Sequence, residues 1–373
     1  MQVVSLLRSR LLTPAVGLLL AVLAISPGRA GSADVPTRLT DQEFWRLTEE
    51  LSEPDGTFRS DNVLSNEMVF ARLVPELLKN TKPGGVYMGV GPEQNFTYIE
   101  AMKARIAFIT DIRRANLHLL LVYKALFELS ADRAEFLSRL FVKARPAGLS
   151  KTSTIRQLTD AYWPVATGDE AAYASGLQAI QSHLTKTHGF ALGPEDLAGV
   201  AAAYRAFYFY GPQMNYSASL QLTQLGGGNA ATYFDLMNQL GDDGQPLSYL
   251  GTEAKFAYLK DMQAKNLIVP LVGNFSGPKA IRAIGNYVRS RGTTVAAFYV
   301  SSVEPYLKRA GTFETYCESV ATLPMTEASV FIRTGNIQNL ALSSPTIPAI
   351  TPGTPRMGTY QTGVVVPLAT GCK

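Results

Sequence analysis

The chain is poor in the residues that most often bind metal ions, with two cysteines and three histidines among 373 residues. His118, His183 and His188 have no metal-ligand spacing with one another or with either cysteine, so we predict no zinc site. The HExxH motif and the phosphate-binding P-loop are also absent, which argues against the enzyme classes that depend on them. A serine hydrolase of the GxSxG type is not expected, because residues 273–277 place one residue too many before Ser276 and no histidine follows.

The charge pattern lacks a long block of one sign. Formal net charge is +4, from 34 basic and 30 acidic residues, and the basic residues occur only in short clusters. Nucleic acid is therefore not an expected partner, because binding to its phosphates needs a basic patch or stripe. After the first 30 residues no apolar run is long enough to cross a bilayer, so we expect no membrane span in the rest of the chain.

The N-terminal segment has the pattern of a secretory signal peptide. Arg8 and Arg10 precede an uncharged, mostly apolar stretch over residues 11–25, and a small residue, Ala30, ends the segment. We predict a signal peptide over residues 1–30 and an exported chain, either periplasmic or secreted. An uncleaved N-terminal anchor is the alternative, and it leaves the rest of the chain on the same outer side.

Both cysteines lie in the C-terminal part of the chain. In an oxidising compartment two thiols are more often paired than free, so we predict a disulfide between Cys317 and Cys372. Spacing alone does not show that the two residues meet, and two unrelated thiols remain the alternative.

Two segments of the chain follow the order strand, turn, helix, strand. They span residues 86–111 and 267–300, and together they predict an α/β fold with a doubly wound, mostly parallel sheet. Pro270 in the second segment argues against a central position for its strand. After the signal peptide we expect a single domain over residues 31–373, with a large helical insertion at about residues 131–265.

The first of these segments has the pattern of a nucleotide pocket. Gly89 and Gly91 let backbone approach a ligand, and Asp111, twenty-two residues after Gly89, can accept hydrogen bonds from ribose hydroxyls. Glu93 and Asn95 follow where a pyrophosphate site needs a third glycine, so a nucleoside without phosphates fits better. We take these five residues as candidate ligand contacts. The alternative is a plain βαβ unit whose glycines only make a tight turn.

Short polar side chains are dense just before this unit. Residues 60–67, SDNVLSNE, include Asp61 and Asn62, which we take as further candidate ligand contacts, although such side chains also commonly cap helices and turns. Among the carboxylates near predicted strand ends and turns, Glu67 and Glu304 are candidates for a general acid or base. The alternative is that these carboxylates are simply solvated.

Five segments of the chain together resemble one family of functionally uncharacterised bacterial proteins. They are SDNVLSNE at 60–67, GGVYMGVGPEQNFTYIEAM at 84–102, FITDIRRANL at 108–117, NLIVPLVGNFSGPKAIRAIG at 266–285 and AFYVSSVEPYL at 297–307. The resemblance implies a Rossmann-like fold of the class I S-adenosylmethionine-dependent methyltransferase type. It also implies that Gly89 and Gly91 lie beside the methionine part of that cofactor and that Asp111 binds its ribose.

The chain departs from the usual methyltransferase pattern at two positions. Tyr87 stands where the first strand often has an acidic residue, and Glu93 stands at the place of the third glycine. Two hypotheses about function follow. One is an exported, methyltransferase-like enzyme that binds a nucleoside-containing ligand such as S-adenosylmethionine. The other is a non-catalytic protein that keeps the fold and binds a small ligand or a partner. Export and the two departures favour the second, whereas the retained polar residues favour the first.

Overall fold

A computed structural model of the chain describes residues 34–67, 70–222, 231–335 and 362–367, together with Cys372. The predicted signal peptide, residues 1–30, lies outside the described residues. So does a connector rich in Pro, Ser and Thr that the sequence predicts at residues 343–355.

The described residues form one mixed sheet of six strands. The strands are β1 Val86–Val90, β2 Ile106–Asp111, β3 Ile268–Val272, β4 Val295–Ser301, β5 Val330–Gly335 and β6 Thr362–Pro367. Their order is β3-β2-β1-β4-β5-β6, and neighbouring strands are parallel except β5 and β6. The predicted α/β class and mostly parallel sheet are confirmed, and the strand order is consistent with a doubly wound fold.

The first three strands are short, continuous apolar runs. In β1 and β2 every residue except Val90 is buried, as expected for parallel strands that are covered on both faces. The two strands pair in the register Met88↔Phe108. Pro270 lies in β3, which pairs only with β2 among the described residues and is therefore an edge strand there. An edge strand tolerates proline, which has no amide hydrogen to donate to a neighbouring strand.

The described residues also form thirteen α-helices. They are α1 Asp41–Leu51, α2 Val74–Asn80, α3 Gln94–Ala101, α4 Arg114–Leu129, α5 Arg133–Phe141, α6 Ile155–Tyr162, α7 Glu170–Ser182, α8 Pro194–Tyr210, α9 Tyr233–Met237, α10 Glu253–Ala264, α11 Ala280–Ser290, α12 Val303–Arg309 and α13 Phe313–Ala321. Short 3₁₀ helices occur at Phe70–Leu73 and Gly211–Gln213, and a π-helix occurs at His183–Thr187. Helix α4 packs against β2 and β3, and α1 packs against β3.

Helix starts follow the local sequence. Thr40 caps α1, because its hydroxyl accepts from the Glu43 amide while the Glu43 carboxylate accepts from the Thr40 amide. The sequence predicts one helix over residues 68–78. Its described part begins as a 3₁₀ turn at Phe70–Leu73, and α2 begins only at Val74. Pro75 explains this difference, because proline fits the first turn of a helix but not its interior.

Between β2 and β3 the described residues form helices α4 to α10 and no strand of the sheet. Aromatic side chains pack this region against α3. The ring of Phe96 lies 5.2 Å from that of Tyr123 and 5.4 Å from those of Phe127 and Tyr249, measured between centroids. The division into one domain with an insertion at about residues 131–265 stays a prediction.

A disulfide fastens the C-terminal end of the described chain to the fold. It joins Cys317 of α13 to Cys372, whose Cα atoms lie 5.5 Å apart, and the two residues are 55 positions apart in sequence. The predicted pairing is confirmed. No helix in the described part of the chain has the length and apolar character to cross a membrane.

Candidate functional site

A cavity of about 180 Å³ lies at the carboxyl ends of the central strands. It is lined by Gly91 after β1, Asp111 at the end of β2, Gly273 after β3 and Ser301 at the end of β4. The strand order reverses between β1 and β4, and ligands of doubly wound sheets usually bind at such a reversal. We refer to it as the switch-point cavity.

Four aromatic rings line the switch-point cavity, those of Phe58, Tyr216, Phe275 and Tyr306. Phe58 meets Tyr306 edge to face with the ring centroids 5.3 Å apart. Arg59 donates a hydrogen bond to the Tyr306 hydroxyl, which restrains that ring. These rings come from four separate segments. Phe275 and Tyr306 lie in strings that carry the family resemblance, but no local pattern shows that the four rings meet.

The turn after β1 is organised by the side chain of Asn95. Its amide nitrogen lies 3.0, 3.2 and 2.8 Å from the backbone oxygens of Val90, Gly91 and Pro92. Its amide oxygen accepts from the Tyr87 hydroxyl at 2.8 Å. Gly91 has φ +79°, in the left-handed region that favours glycine. Asn95 therefore binds the turn itself, and it is not among the residues that line the cavity.

Gly89 lies against the same side chains. A Cβ atom at this position would overlap Asn95 and Tyr87, so glycine here makes room for the side chains that hold the turn. Of the two glycines that the sequence places beside a ligand, Gly91 lines the switch-point cavity and Gly89 does not.

Asp111 ends β2 and lines the cavity. Its Oδ1 accepts from the backbone amide of Arg113 at 3.0 Å and from the Nε of the same residue at 3.2 Å. Arg113 also donates to the backbone oxygen of Asp61, and this contact helps to fix the guanidinium. No donor among the described residues reaches Oδ2 of Asp111. That oxygen is therefore available to a ligand in the cavity.

Asp61 and Asn62 are adjacent in sequence but differ in position. Asp61 Oδ2 accepts from the Ser219 hydroxyl at 2.6 Å and from the Leu220 amide at 2.7 Å, so this carboxylate ties two loops together. Asn62 has φ +48° and lines the cavity. Of these two candidates, Asn62 lines the cavity and Asp61 does not.

Two buried carboxyl groups, Glu67 and Glu93, lie close to the cavity without lining it. Glu67 accepts from the hydroxyls of Tyr299 and Ser301. Glu93 Oε1 accepts from the Ser65 amide at 3.2 Å, whereas its Oε2 has no partner among the described residues. Burial raises the pKa of Glu93 to about 8, against the opposing effect of backbone hydrogen bonds and with a further increase from the charge of Glu67. Glu93 therefore holds a proton at neutral pH.

Gln94 connects these carboxyl groups to the cavity. It lines the cavity, and its amide nitrogen lies 3.2 Å from the Tyr299 hydroxyl. Its amide oxygen is buried and has no partner among the described residues. Because an unpaired buried acceptor costs free energy, a ligand that donates a hydrogen bond here would be stabilised.

Glu304 is held in an ion pair instead. It is buried in α12, and its two carboxylate oxygens each lie 2.7 Å from a guanidinium nitrogen of Arg333 in β5. A buried bidentate pair of this kind holds α12 to β5. The assignment of Glu67 and Glu304 as general acid or base stays a prediction, as does cofactor contact by Glu93.

A carboxylate of the chain itself occupies the start of α11, which follows β3. Glu53 accepts from the backbone amide of Asn274 at 2.9 Å and from those of Lys279 and Ala280 at 2.7 and 2.9 Å. Amides at the start of a helix are a common binding site for phosphate groups. At the start of α11 the Glu53 carboxylate already accepts hydrogen bonds from these amides.

Comparison with known protein families gives a match to the family described as "Domain of unknown function (DUF7790)", over residues 63–186 and 214–353. These ranges contain strands β1 to β5 and every described cavity-lining residue except Phe58 and Asn62. The interval between them contains α8. No curated protein matches the chain. Because the match covers more than half of its length, the chain belongs to the DUF7790 family.

Proposed function

We propose that the switch-point cavity binds a small nucleoside-containing ligand, such as S-adenosylmethionine, and that the protein is exported. The position of Asp111 carries this proposal. Its carboxylate lines the cavity at the end of β2, beside the glycine turn after β1, and its Oδ2 has no donor among the described residues. An acidic residue in this position of a doubly wound fold accepts hydrogen bonds from ribose hydroxyls.

The remaining walls suit the base of a nucleoside. Phe58 and Tyr306 offer apolar ring surface against which a flat base can pack. Asn62, Asn66 and Asn274 also line the cavity, and amide side chains can both donate to and accept from the polar edge of a base. Together with Asp111, these side chains can recognise both the base and the ribose of a nucleoside.

Charge and size favour a nucleoside over a nucleotide. None of the described residues that line the cavity is Lys, Arg or His, the side chains that usually bind phosphate. Glu53 already occupies the start of α11, and Glu93 stands at the N-cap of α3. The volume of 180 Å³ lies below the roughly 300–1,000 Å³ of pockets for drug-sized ligands. The cavity therefore matches a small ligand or one part of a larger one.

The contacts of Glu67 and Glu304 favour a protein that binds its ligand without acid/base catalysis. Glu67 already accepts from two hydroxyl groups, and Glu304 is paired with Arg333. Neither carboxylate lines the cavity. The methyltransferase-like alternative is supported by the mostly parallel sheet, the glycine turn and Asp111, and it requires an acceptor substrate beside the methyl donor.

Export is supported by two independent features. Residues 1–30 have the signal-peptide pattern, and the disulfide between Cys317 and Cys372 suits an oxidising compartment. Since S-adenosylmethionine is made in the cytosol, an exported protein is expected to meet other nucleosides as well. Adenosine therefore belongs among the ligands to be tested.

Calorimetric titration of S-adenosylmethionine, S-adenosylhomocysteine and adenosine into wild type and Asp111→Ala tests the proposal. Loss of a charge-assisted hydrogen bond should weaken binding by about 1.5–3 kcal/mol, or roughly tenfold to over a hundredfold. Asp242→Ala, which removes an exposed carboxylate outside the cavity, is the control and should bind as wild type does. If wild type binds none of the three ligands, the nucleoside proposal is wrong.

A further inference from the structure

Glu128, His183 and His188 meet at a site far from any recognised motif. The Nε2 atoms of His183 and His188 lie 2.7 and 2.6 Å from the same carboxylate oxygen, Oε2 of Glu128. One ligand atom from each residue lies within 4.8 Å of the other two. Two imidazole nitrogens and a carboxylate oxygen are a ligand set that binds zinc in proteins.

The local fold brings these three side chains together. Glu128 lies in the last turn of α4, and the two histidines stand at either end of the π-helix that follows α7. The His188 amide donates to the His183 carbonyl at 3.1 Å, which places the two imidazole rings 4.9 Å apart between centroids. Insertions of π-helix are frequent at functional sites because they bring residues to one face that an α-helix would separate.

A second set of contacts orients the three groups. Asp41 accepts from His188 Nδ1 at 2.6 Å, and Asn266 donates to the same Asp41 oxygen at 2.8 Å. Lys124 lies 2.7 Å from Oε1 of Glu128, so it leaves Oε2 to the histidines. With a proton on Nδ1 directed at Asp41, His188 can bind a metal ion through Nε2. Without an ion, the 2.6 Å contact of Nε2 with Glu128 is a hydrogen bond that requires a proton on Nε2 as well. A carboxylate that binds the distal nitrogen of an imidazole is the usual outer-shell partner of a metal-ligating histidine.

Two carboxylates, Asp41 and Glu128, contact the imidazole of His188, and the Lys124 ammonium contacts Glu128. That ammonium is bound at 2.6 Å by the Gln263 backbone oxygen and at 2.6 Å by the Asn266 side-chain oxygen, which hold it on the far side of the Glu128 carboxylate.

We propose that Glu128, His183 and His188 bind a divalent transition-metal ion, of which Zn²⁺ is the best match to the donor set. Ligand atoms about 2.0–2.1 Å from a tetrahedral zinc ion lie roughly 3.3 Å apart, so each imidazole nitrogen needs to move less than about 1 Å away from Oε2 of Glu128 to admit it. Water supplies the fourth ligand, because the site is near the surface: the side chain of His183 is 15% exposed. The spacing of histidines and cysteines predicts no zinc site, because the third ligand proposed here, Glu128, is brought to the two histidines by the fold.

The proposed metal site is separate from the switch-point cavity. Its ligands connect the end of α4 to the π-helix, and Asp41 adds the first turn of α1. Asn266, which contacts both Asp41 and Lys124, comes just before β3, at the end of that strand opposite the cavity. The proposal is therefore independent of the nucleoside proposal.

Titration of the chelator-treated, full-length protein with Co²⁺ and Zn²⁺ tests this site. Wild type should bind one equivalent of Co²⁺ with visible absorption bands typical of tetrahedral nitrogen and oxygen ligands, and Zn²⁺ should displace it and raise the melting temperature. His183→Gln should lose both effects. Asp41→Asn should weaken binding about 10–100-fold, as expected for an outer-shell partner.

His118→Gln is the matched control, because His118 pairs with Asp196 and contributes nothing to the cluster. It should bind metal as wild type does. The proposal is overturned if wild type binds no stoichiometric Co²⁺ or Zn²⁺, a result that depends on no variant. It is also overturned if His183→Gln binds as tightly as wild type, because the metal then lies elsewhere.

Discussion

Replacement of Glu93 by glutamine should change how the stability of the protein depends on pH. Glu93 is fully buried, one of its carboxylate oxygens has no partner among the described residues, and burial raises its pKa from an ordinary value of 4.5 to about 8. In the unfolded chain the pKa returns to the ordinary value. Between these two pH values the folded protein therefore binds more protons than the unfolded chain.

The raised pKa of Glu93 makes the folded protein less stable as pH rises. Below the unfolded pKa, Glu93 is protonated in both states and its contribution to stability is fully present. As pH rises from 4.5 to about 8 the unfolded chain releases its proton first, so the free energy of unfolding falls, and above about 8 the loss is complete. A pKa difference of about 3.5, at about 1.4 kcal/mol per pKa unit, corresponds to a loss on the order of 5 kcal/mol.

Glutamine has nearly the shape of glutamic acid and does not ionise, so Glu93→Gln should lack this loss. Urea unfolding of both proteins between about pH 5 and pH 8.5 should show the variant gaining on wild type by several kcal/mol toward high pH. Glu327→Gln, at an exposed position, is the control and should follow wild type. Parallel pH profiles of wild type and Glu93→Gln would refute the assignment of a buried, neutral carboxyl group.

Three further results are expected. Non-reducing peptide mapping should recover Cys317 linked to Cys372, and reduction should cost roughly 4 kcal/mol of stability on the chain-entropy model; two freely alkylated thiols in protein denatured without reductant would contradict this. Gly89→Ala should destabilise the fold by about 1–3 kcal/mol, because the added Cβ overlaps Asn95, and an unchanged urea midpoint would show that the turn is not packed as described. N-terminal sequencing of periplasmic or secreted material should begin near Gly31, and intact N-terminal methionine in a soluble cytosolic fraction would contradict export.

The parts of the fold that the sequence predicted are those set by local pattern. Buried parallel strands are continuous apolar runs, so β2 and β3 could be located to within one residue. Strand β5 was missed, because Arg333 in its middle has the character of an exposed residue. In the structure Arg333 is buried and paired with Glu304, and such a long-range pair leaves no local signal.

The site was predictable only in part, for the same reason. Gly91, Asn62 and Asp111, which the sequence suggests as ligand contacts, all line the cavity, and ligand binding by them stays a prediction. The sequence could not show that the amide of Asn95 is used by the turn itself. The aromatic lining, exemplified by Phe58, also depends on contacts between distant segments, as does the cluster of Glu128 with two histidines.

The central claim, that Asp111 binds the hydroxyls of a ribose, is tested most directly by changing both partners. Adenosine and 2′,3′-dideoxyadenosine should be titrated into wild type and into Asp111→Ala. Wild type should bind adenosine roughly tenfold to over a hundredfold more tightly than the dideoxy compound, and Asp111→Ala should bind the two with equal affinity. If wild type does not distinguish the two compounds, or if Asp111→Ala still does, Asp111 is not the ribose acceptor.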